Sequence, residues 1–196
     1  MNSPIDSAAA YETRAREFLR SRDNSLIGSQ VVDSWARTLG RGASVIELGC
    51  GGGYPITRSL DEAGLRLWAV DSSPTLVAEF RARFPHVPVQ CARVQESTFF
   101  EQQYDGAIAA GLVFLLPESE QSALISRIAR ILVQGGRFLF TAPIETGNWI
   151  DRNTGVTCCS PGQRVYEEYL SRSGFRIIKT FADAGANNYY DVVRVP

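Results

Sequence analysis

The stretch VIELGCGGGYPI, residues 45–56, places four glycines within five positions directly after an apolar run. The segment SVIEL at 44–48 is typical of a buried strand, and the glycines that follow it predict a tight turn. A glycine-rich turn after a first strand suits a phosphate cradle, a nucleoside site or a plain change of chain direction. The residues around the turn must decide among these uses.

Strand-like and helix-like segments alternate outward from this turn. Short apolar runs of the buried-strand type lie at 44–48, 66–71, 87–92, 104–111 and 136–143. Three helical patterns separate them: one follows Gly53, has Pro55 near its first turn and stops at Gly64, one has Ser73 as its N-cap, and one covers 117–135 and ends at Gly135. Strand and helix in alternation predict a doubly wound parallel α/β sheet with helices on both faces. Ligands bind such sheets beyond the carboxyl ends of the strands, where the glycine turn begins.

The two ends of the chain complete one domain. Helical patterns at 7–22 and 25–40 predict an N-terminal helical cap over residues 1–40, and two strand-like segments, FRIIKTFADA and YYDVVRV, lie near the C-terminus. No linker, repeat or low-complexity stretch interrupts the 196 residues. We therefore expect a single domain over 1–196.

The composition of the chain limits the classes of partner that it is expected to bind. The formal net charge is -1, with 44% hydrophobic and 21% charged residues, so the chain lacks the basic surface that nucleic acids or anionic membranes attract. The longest apolar run, 107–117, is about half of the roughly 20 residues that a membrane span needs. The N-terminus has no signal-peptide pattern, and we expect a cytoplasmic protein with neither nucleic acid nor membrane as partner.

Metal-ligating residues are sparse. The four cysteines show no C-x-x-C spacing, and His86 is the only histidine, in a loop-like segment. We expect free thiols in a reducing compartment and no metal site, although acidic residues at strand ends leave a magnesium ion open.

The glycine turn fits two common nucleotide motifs poorly. Read as a dinucleotide fingerprint, it has Tyr54 where the third glycine belongs. A phosphate-binding P-loop ends in Gly-Lys-Ser/Thr, whereas the only lysine of the chain is Lys179. A ligand without phosphates is favoured.

Instead, residues 47–53 read E-x-G-x-G-x-G, and Asp71 ends the next strand. Two further segments, YDGAIAAGLVFLLPE at 104–118 and ARILVQGGRFLFTAP at 129–143, follow in order. Over about residues 44–143 the chain thus resembles the class I S-adenosylmethionine-dependent methyltransferases. The resemblance implies a mostly parallel seven-stranded sheet with an antiparallel C-terminal strand, and S-adenosylmethionine as cofactor with S-adenosylhomocysteine as product.

The resemblance also implies a set of cofactor-binding residues. Glycines shape the loop under the methionyl and ribose parts, Glu47 orients the amino acid end, Asp71 accepts both ribose hydroxyls, and residues after the second and third strands flank the adenine. The implied residues are Glu47, Gly49, Cys50, Gly51, Gly53, Asp71, Ser72, Gln95, Glu96 and Gly111. A phosphate-free ligand with hydroxyl and ammonium groups suits a turn that has carboxylates and no lysine.

Catalytic residues are harder to assign. Methyl transfer is an in-line displacement from an activated leaving group, so positioning and exclusion of water can suffice. Some relatives carry a histidine after the fourth strand, where this chain has Leu115 or Leu116. The segment 144–163 is long, has little periodic pattern, and is interpreted as a substrate lid. Position alone makes Tyr11, Trp149 and Asp151 candidates for the acceptor site.

Three classes of function remain open at this level. The first is methyl transfer to oxygen or nitrogen of a small metabolite, and the aromatic residues near the predicted site suit an apolar or ring-shaped acceptor. The second is a nucleic-acid or protein methyltransferase, which the charge and the absence of an Asn/Asp-Pro-Pro-aromatic motif disfavour. The third is a non-catalytic S-adenosylmethionine-binding protein, or a reductase with a degenerate nicotinamide fingerprint. The oligomeric state is undetermined.

Overall fold

A computed structural model describes residues 6–151 and 154–196. The helices are α1 (Ser7–Thr13), α2 (Ala15–Asp23), α3 (Ser29–Ala36), α4 (Ile56–Glu62), α5 (Pro74–Arg83), α6 (Glu118–Ile131) and α7 (Gln163–Arg172). The strands are β1 (Ser44–Leu48), β2 (Arg66–Asp71), β3 (Val89–Cys91), β4 (Tyr104–Ala109), β5 (Leu132–Thr141), β6 (Thr146–Ile150), β7 (Thr157–Pro161), β8 (Phe175–Ala182) and β9 (Asn188–Arg194). One-turn 3₁₀ helices lie at Phe99–Glu101 and Val113–Leu115.

Seven strands form one sheet in the order β3-β2-β1-β4-β5-β9-β8. The strands β1 to β5 run parallel, and β9 is antiparallel to both of its neighbours. The strand order reverses at β1 and β4, which is where sheets of this type bind ligands. The predicted doubly wound sheet with an antiparallel C-terminal strand is confirmed.

Buried side chains fill both faces of the sheet because successive strand residues point to opposite sides. Val45 packs with α3, α4 and α5 on one face, while Ile46 packs with α6 and α7 on the other. All five residues of β1 are buried. This is the environment that the continuous apolar segment predicts for a central parallel strand.

Helix α5 has the N-cap that its sequence predicts. The Ser73 side chain accepts a hydrogen bond from the Leu76 N–H at 3.2 Å, and Pro74 occupies the first helical position. This helix therefore begins where its N-cap signal predicts, directly after Asp71 and Ser72.

Three segments differ from their sequence patterns. The pattern at 7–22 forms two helices, because Arg14 leaves helical geometry between α1 and α2. The helix predicted to end at Gly135 ends at Ile131, because Leu132 already pairs with Tyr104 of β4. The segment 144–163 is not irregular: β6 and β7 pair as an antiparallel hairpin, and all five residues of β6 are exposed. Strand pairing fixes the second and third of these segments, and local periodicity does not record it.

Candidate functional site

The glycine turn directs its own amide groups inward. The N–H groups of Gly49 and Cys50 donate to the Val70 carbonyl at 2.8 and 3.2 Å, and that of Gly53 donates to the Cys50 carbonyl at 3.0 Å. The Gly51 N–H donates to the Asp71 carboxylate at 2.8 Å. These donors are therefore occupied within the protein and do not form the cluster of free N–H groups that holds a phosphate.

Gly53 shows why the turn needs glycine. Its φ of +90° favours glycine, and a Cβ atom would lie 2.3 Å from a ring carbon of Phe84. The close approach presses the turn against α5 and the residue that follows it. The glycine therefore shapes the loop from behind, and Gly53 does not line the cavity described below.

A cavity of about 320 Å³ opens at the carboxyl ends of β1, β2 and β4. Its volume lies within the range of small-molecule sites. Of the predicted cofactor residues, those lining it are Glu47, Gly49, Cys50, Asp71, Ser72, Gln95 and Gly111. Gly51, Gly53 and Glu96 do not line it, and Glu96 is exposed to solvent.

Asp71 is buried with unused acceptor capacity. Its side chain accepts backbone N–H groups of Gly51 at 2.8 Å and Ser73 at 2.9 Å, one on each oxygen. A carboxylate can accept about four hydrogen bonds, so Asp71 can still accept a donor from a ligand. Burial raises the pKa of Asp71, and the backbone hydrogen bonds oppose that shift.

Glu47 lies beside Asp71 at the same edge of the sheet and is 5% exposed. The Thr57 hydroxyl donates to it at 2.6 Å. Burial raises its pKa to about 8, and the Asp71 charge adds to the increase. A positively charged ligand group would favour the ionised form of Glu47.

Arg22 is a cavity residue that the sequence analysis missed. It projects from α2, and within residues 6–151 and 154–196 no side chain forms a hydrogen bond or ion pair with its guanidinium. Burial lowers its pKa, while Tyr189 and Glu47 nearby oppose that decrease. Arg22 is half-buried, and a partly desolvated guanidinium without an anion beside it in the described residues favours a negative ligand group. No local motif in the sequence distinguishes it from the other arginines of α2.

The turn after β3 forms another wall, and α6 holds it in place. Val94 is buried and lines the cavity together with Gln95. The Arg127 guanidinium donates to the backbone carbonyls of Val94 and Ser97 and lies 4.5 Å from the centre of the Phe99 ring. Gln95 donates to Glu120 at 2.6 Å.

The N-terminal cap contacts the loops that surround the cavity. Arg93, a lining residue, pairs with Asp6, and Arg83 pairs with Asp23 at 2.7 Å while also donating to the Gly52 carbonyl. Glu12 accepts from the Ser73 hydroxyl, from the Thr75 N–H at 3.1 Å and from the Thr75 hydroxyl at 2.6 Å. Three carboxylates of the cap are thus attached to the loops after β1, β2 and β3.

The three catalytic candidates occupy different places. Tyr11 and Asp151 line the cavity. Trp149 does not line it; its ring packs 5.5 Å from the ring of Phe114, which does. Burial raises the pKa of Tyr11, and the charges of Asp151 and Asp71 add to that effect.

Other titratable groups lie elsewhere. His86 is exposed, 3.0 Å from Asp61, in the loop where the sequence places it. All four cysteines are free thiols. In the described part of the chain, no group of three or more metal-ligating side chains is assembled. None of the helices described there is both long and apolar enough to cross a membrane.

Comparison with known proteins is consistent with this geometry. Residues 45–136 match the family model described as a methyltransferase domain. No curated protein matches the chain in sequence. The matched residues include the glycine turn, Asp71, the turn after β3 and the end of β4.

Solved structures share the fold. The 1,6-didemethyltoxoflavin-N1-methyltransferase of Burkholderia thailandensis superposes with a TM-score of 0.73 at 19% identity, over 100% of this chain and 94% of that chain. The magnesium protoporphyrin IX methyltransferase of Synechocystis PCC 6803 superposes with a TM-score of 0.70 at 19% identity, over 99% of this chain and 100% of that chain. A TehB-like methyltransferase of Corynebacterium glutamicum superposes with a TM-score of 0.70 at 20% identity, over 96% of this chain and 98% of that chain. The matched methyltransferase domain, the glycine turn and the strand order together support the resemblance of this chain to the class I S-adenosylmethionine-dependent methyltransferases.

Proposed function

We propose that the enzyme transfers the methyl group of S-adenosylmethionine to a small molecule. One observation carries this proposal: a single cavity joins Glu47, Asp71 and Gly111 at the strand ends to an aromatic compartment with Tyr11 and Phe114. A cofactor and an acceptor bound at its two ends would lie next to each other. Such proximity is the main requirement of an in-line displacement.

The polar groups at the strand ends fit the cofactor. The remaining acceptor capacity of the Asp71 carboxylate suits the ribose hydroxyls, and Glu47 suits the methionyl ammonium group. Arg22 is the cation that the methionyl carboxylate requires. Bound there, the cofactor supplies an activated methyl group.

The remaining predicted residues have supporting roles in this proposal. Gly49, Gly51 and Gly53 shape the turn beneath the amino acid and ribose parts, and Cys50 is part of its buried filling. The residues on either side of the adenine are proposed to be Ser72 and Gln95, with Val94 packing against the ring. Glu96 faces solvent, so we assign it no contact.

The segments that surround the acceptor exclude water. We propose that residues 1–40 act as a cap and that the 144–163 hairpin acts as the lid of a single domain, 1–196. Tyr11 and Asp151 then face the acceptor directly, and Trp149 acts through Phe114. Catalysis rests mainly on position and desolvation.

A small metabolite suits this cavity better than a polymer. The net charge of -1 offers no attraction for nucleic acid. We also propose a cytoplasmic location, in keeping with the free cysteines.

Calorimetric titration tests the cofactor assignment. We expect binding of S-adenosylmethionine and S-adenosylhomocysteine but not of NADH or NADPH. Arg22→Gln should lower the affinity for S-adenosylhomocysteine about tenfold, because a charge-assisted hydrogen bond is lost. The same change should leave 5′-methylthioadenosine unaffected, since that probe lacks the amino acid end.

The control variant is Arg20→Gln, on an exposed position of the same helix. Tight binding of a nicotinamide nucleotide without binding of the sulfonium pair would overturn the proposed function. Equal weakening of both adenosine ligands by Arg22→Gln would overturn the role of Arg22 alone.

A further inference from the structure

We propose that Arg127 of α6 is a positioning residue for the cofactor: it holds the turn after β3 in the conformation that binds the adenine. This inference rests on the proposed function, in which Val94 and Gln95 of that turn contact the adenine. Arg127 itself does not line the cavity. Its role follows from how the turn is attached to the rest of the fold.

The sheet gives this turn little support. β3 has three residues, lies at the edge of the sheet and pairs only with β2. The next strand, β4, begins at Tyr104 on the far side of β1, so residues 92–103 leave the sheet edge and return at its centre. Residues 92–95, at the start of this connection, line the cavity. Contacts from outside the sheet must therefore fix their position.

Arg127 supplies those contacts from a distant part of the chain. Its guanidinium donates to the carbonyls of Val94 and Ser97, and so joins two points of the turn to α6. The planar fork of a guanidinium suits two acceptors at once, which a single donor cannot hold in the same way. Burial lowers the pKa of Arg127, and the nearby charge of Arg130 adds to the decrease. The partly desolvated cation strengthens both hydrogen bonds.

The backbone after the turn is strained and is held by its surroundings. Phe99, Phe100 and Glu101 have φ values of +50°, +58° and +55°, a region that side-chain-bearing residues rarely adopt in succession. Such backbone persists only where neighbouring groups fix it. Phe99 is buried, its carbonyl accepts from the Tyr104 hydroxyl at 2.9 Å, and its ring lies 4.5 Å from the Arg127 guanidinium. One side chain therefore contacts both the strained segment and the cavity wall.

A second contact from α6 to the turn is weaker. Gln95 donates to Glu120 at 2.6 Å, but this pair is exposed to solvent, which reduces its contribution. Without Arg127, the turn would have to become ordered each time the adenine binds, and that ordering lowers affinity. The loss should be the same for every ligand that carries adenine, whatever its amino acid end.

Arg127→Gln tests this role by two measurements. Calorimetry should show about tenfold lower affinity for both S-adenosylhomocysteine and 5′-methylthioadenosine, whereas Arg22→Gln should affect only the first. Hydrogen exchange without ligand should be about tenfold faster at the amides of Glu96 and Ser97, which donate to the Arg93 carbonyl at 3.0 and 2.9 Å. Exchange of the Gly49 amide, in the turn after β1, should be unchanged.

The matched control is Arg130→Gln, at an exposed arginine of the same helix, which should leave both affinities and all three exchange rates unchanged. The inference is overturned if Arg127→Gln keeps its affinity for 5′-methylthioadenosine. It is also overturned if exchange at Ser97 does not change, or if Gly49 exchanges faster to the same extent, since that would indicate a general loss of structure. Failure of the proposed function is distinct, because the unsubstituted protein would then bind neither ligand.

Discussion

The two ends of the cavity are built in different ways. At the end where we propose the cofactor, Glu47, Asp71 and Gly111 lie at the ends of neighbouring parallel strands within one continuous part of the chain. At the end where we propose the acceptor, Tyr11, Phe114 and Asp151 come from α1, a 3₁₀ helix and the segment after β6. The cofactor end therefore depends on the fold itself, and the acceptor end depends on segments added around it. Substitutions that act on one end alone test this difference.

The largest effect is expected from Gly53→Ala. The new Cβ would lie 2.3 Å from Phe84, and the φ of +90° adds backbone strain. Overpacking and strain together should lower the free energy of unfolding by about 3 kcal/mol. Urea denaturation measures this change, and cofactor affinity should fall with it.

The control for Gly53→Ala is Gly135→Ala, which has a similar φ of +79° but no atom within 4 Å of the added Cβ. It should lower the free energy of unfolding by about 1 kcal/mol, from backbone strain alone. Equal losses in the two variants would contradict the role of the contact with Phe84.

Asp71→Asn should act on the cofactor end with a smaller effect on folding. An amide cannot accept the Gly51 and Ser73 N–H groups on both of its ends, and it also loses charge-assisted bonds to the ribose. We expect about a hundredfold weaker binding of S-adenosylhomocysteine by calorimetry.

The matched variant is Asp105→Asn, at the opposite end of the sheet, where the carboxylate accepts from the Ser44 N–H and hydroxyl. It should lower stability without changing cofactor affinity. Retention of S-adenosylhomocysteine affinity in Asp71→Asn would remove that residue from the site.

The smallest effect is expected where the cap meets the cofactor end. Hydrogen bonds from Ser73 and Thr75 lower the pKa of Glu12. Its contribution is therefore present above the ordinary pKa of 4.5 and is lost as pH falls through the lower folded value. Because Glu12 is mostly solvated, we expect at most about 1 kcal/mol.

Hydrogen exchange of the α1 amides measures this contribution, as protection factors corrected for intrinsic rates. In the unsubstituted protein, protection should fall as the pH is lowered from about 6 to about 3. In Glu12→Gln, protection should already be lower at about pH 6 and should fall less between the two pH values. Glu17→Gln is the control, because Glu17 pairs with Arg14 within the cap itself. A loss as large in that variant would show that the contacts of Glu12 with α5 do not hold the cap.

Sequence reasoning reached most of the fold and much less of the acceptor site. The strand that begins at Ser44, the Ser73 cap and the strand-helix alternation depend on local patterns, and the structure has all three. The hairpin formed by β6 and β7 was missed because its pairing is not encoded by periodicity. Arg22 was missed because its burial, not its sequence context, distinguishes it.

By itself, the sequence determined the doubly wound sheet, the phosphate-free glycine turn and the two carboxylates beside it, because strand ends and turn glycines lie within a short stretch of chain. Only the tertiary structure decided which side chains share the cavity: it brought Tyr11 and Asp151 together and placed Trp149 behind Phe114. The physical reason is that backbone hydrogen bonding fixes the first set locally. The second set depends on how the cap, the hairpin and β9 pack around the sheet.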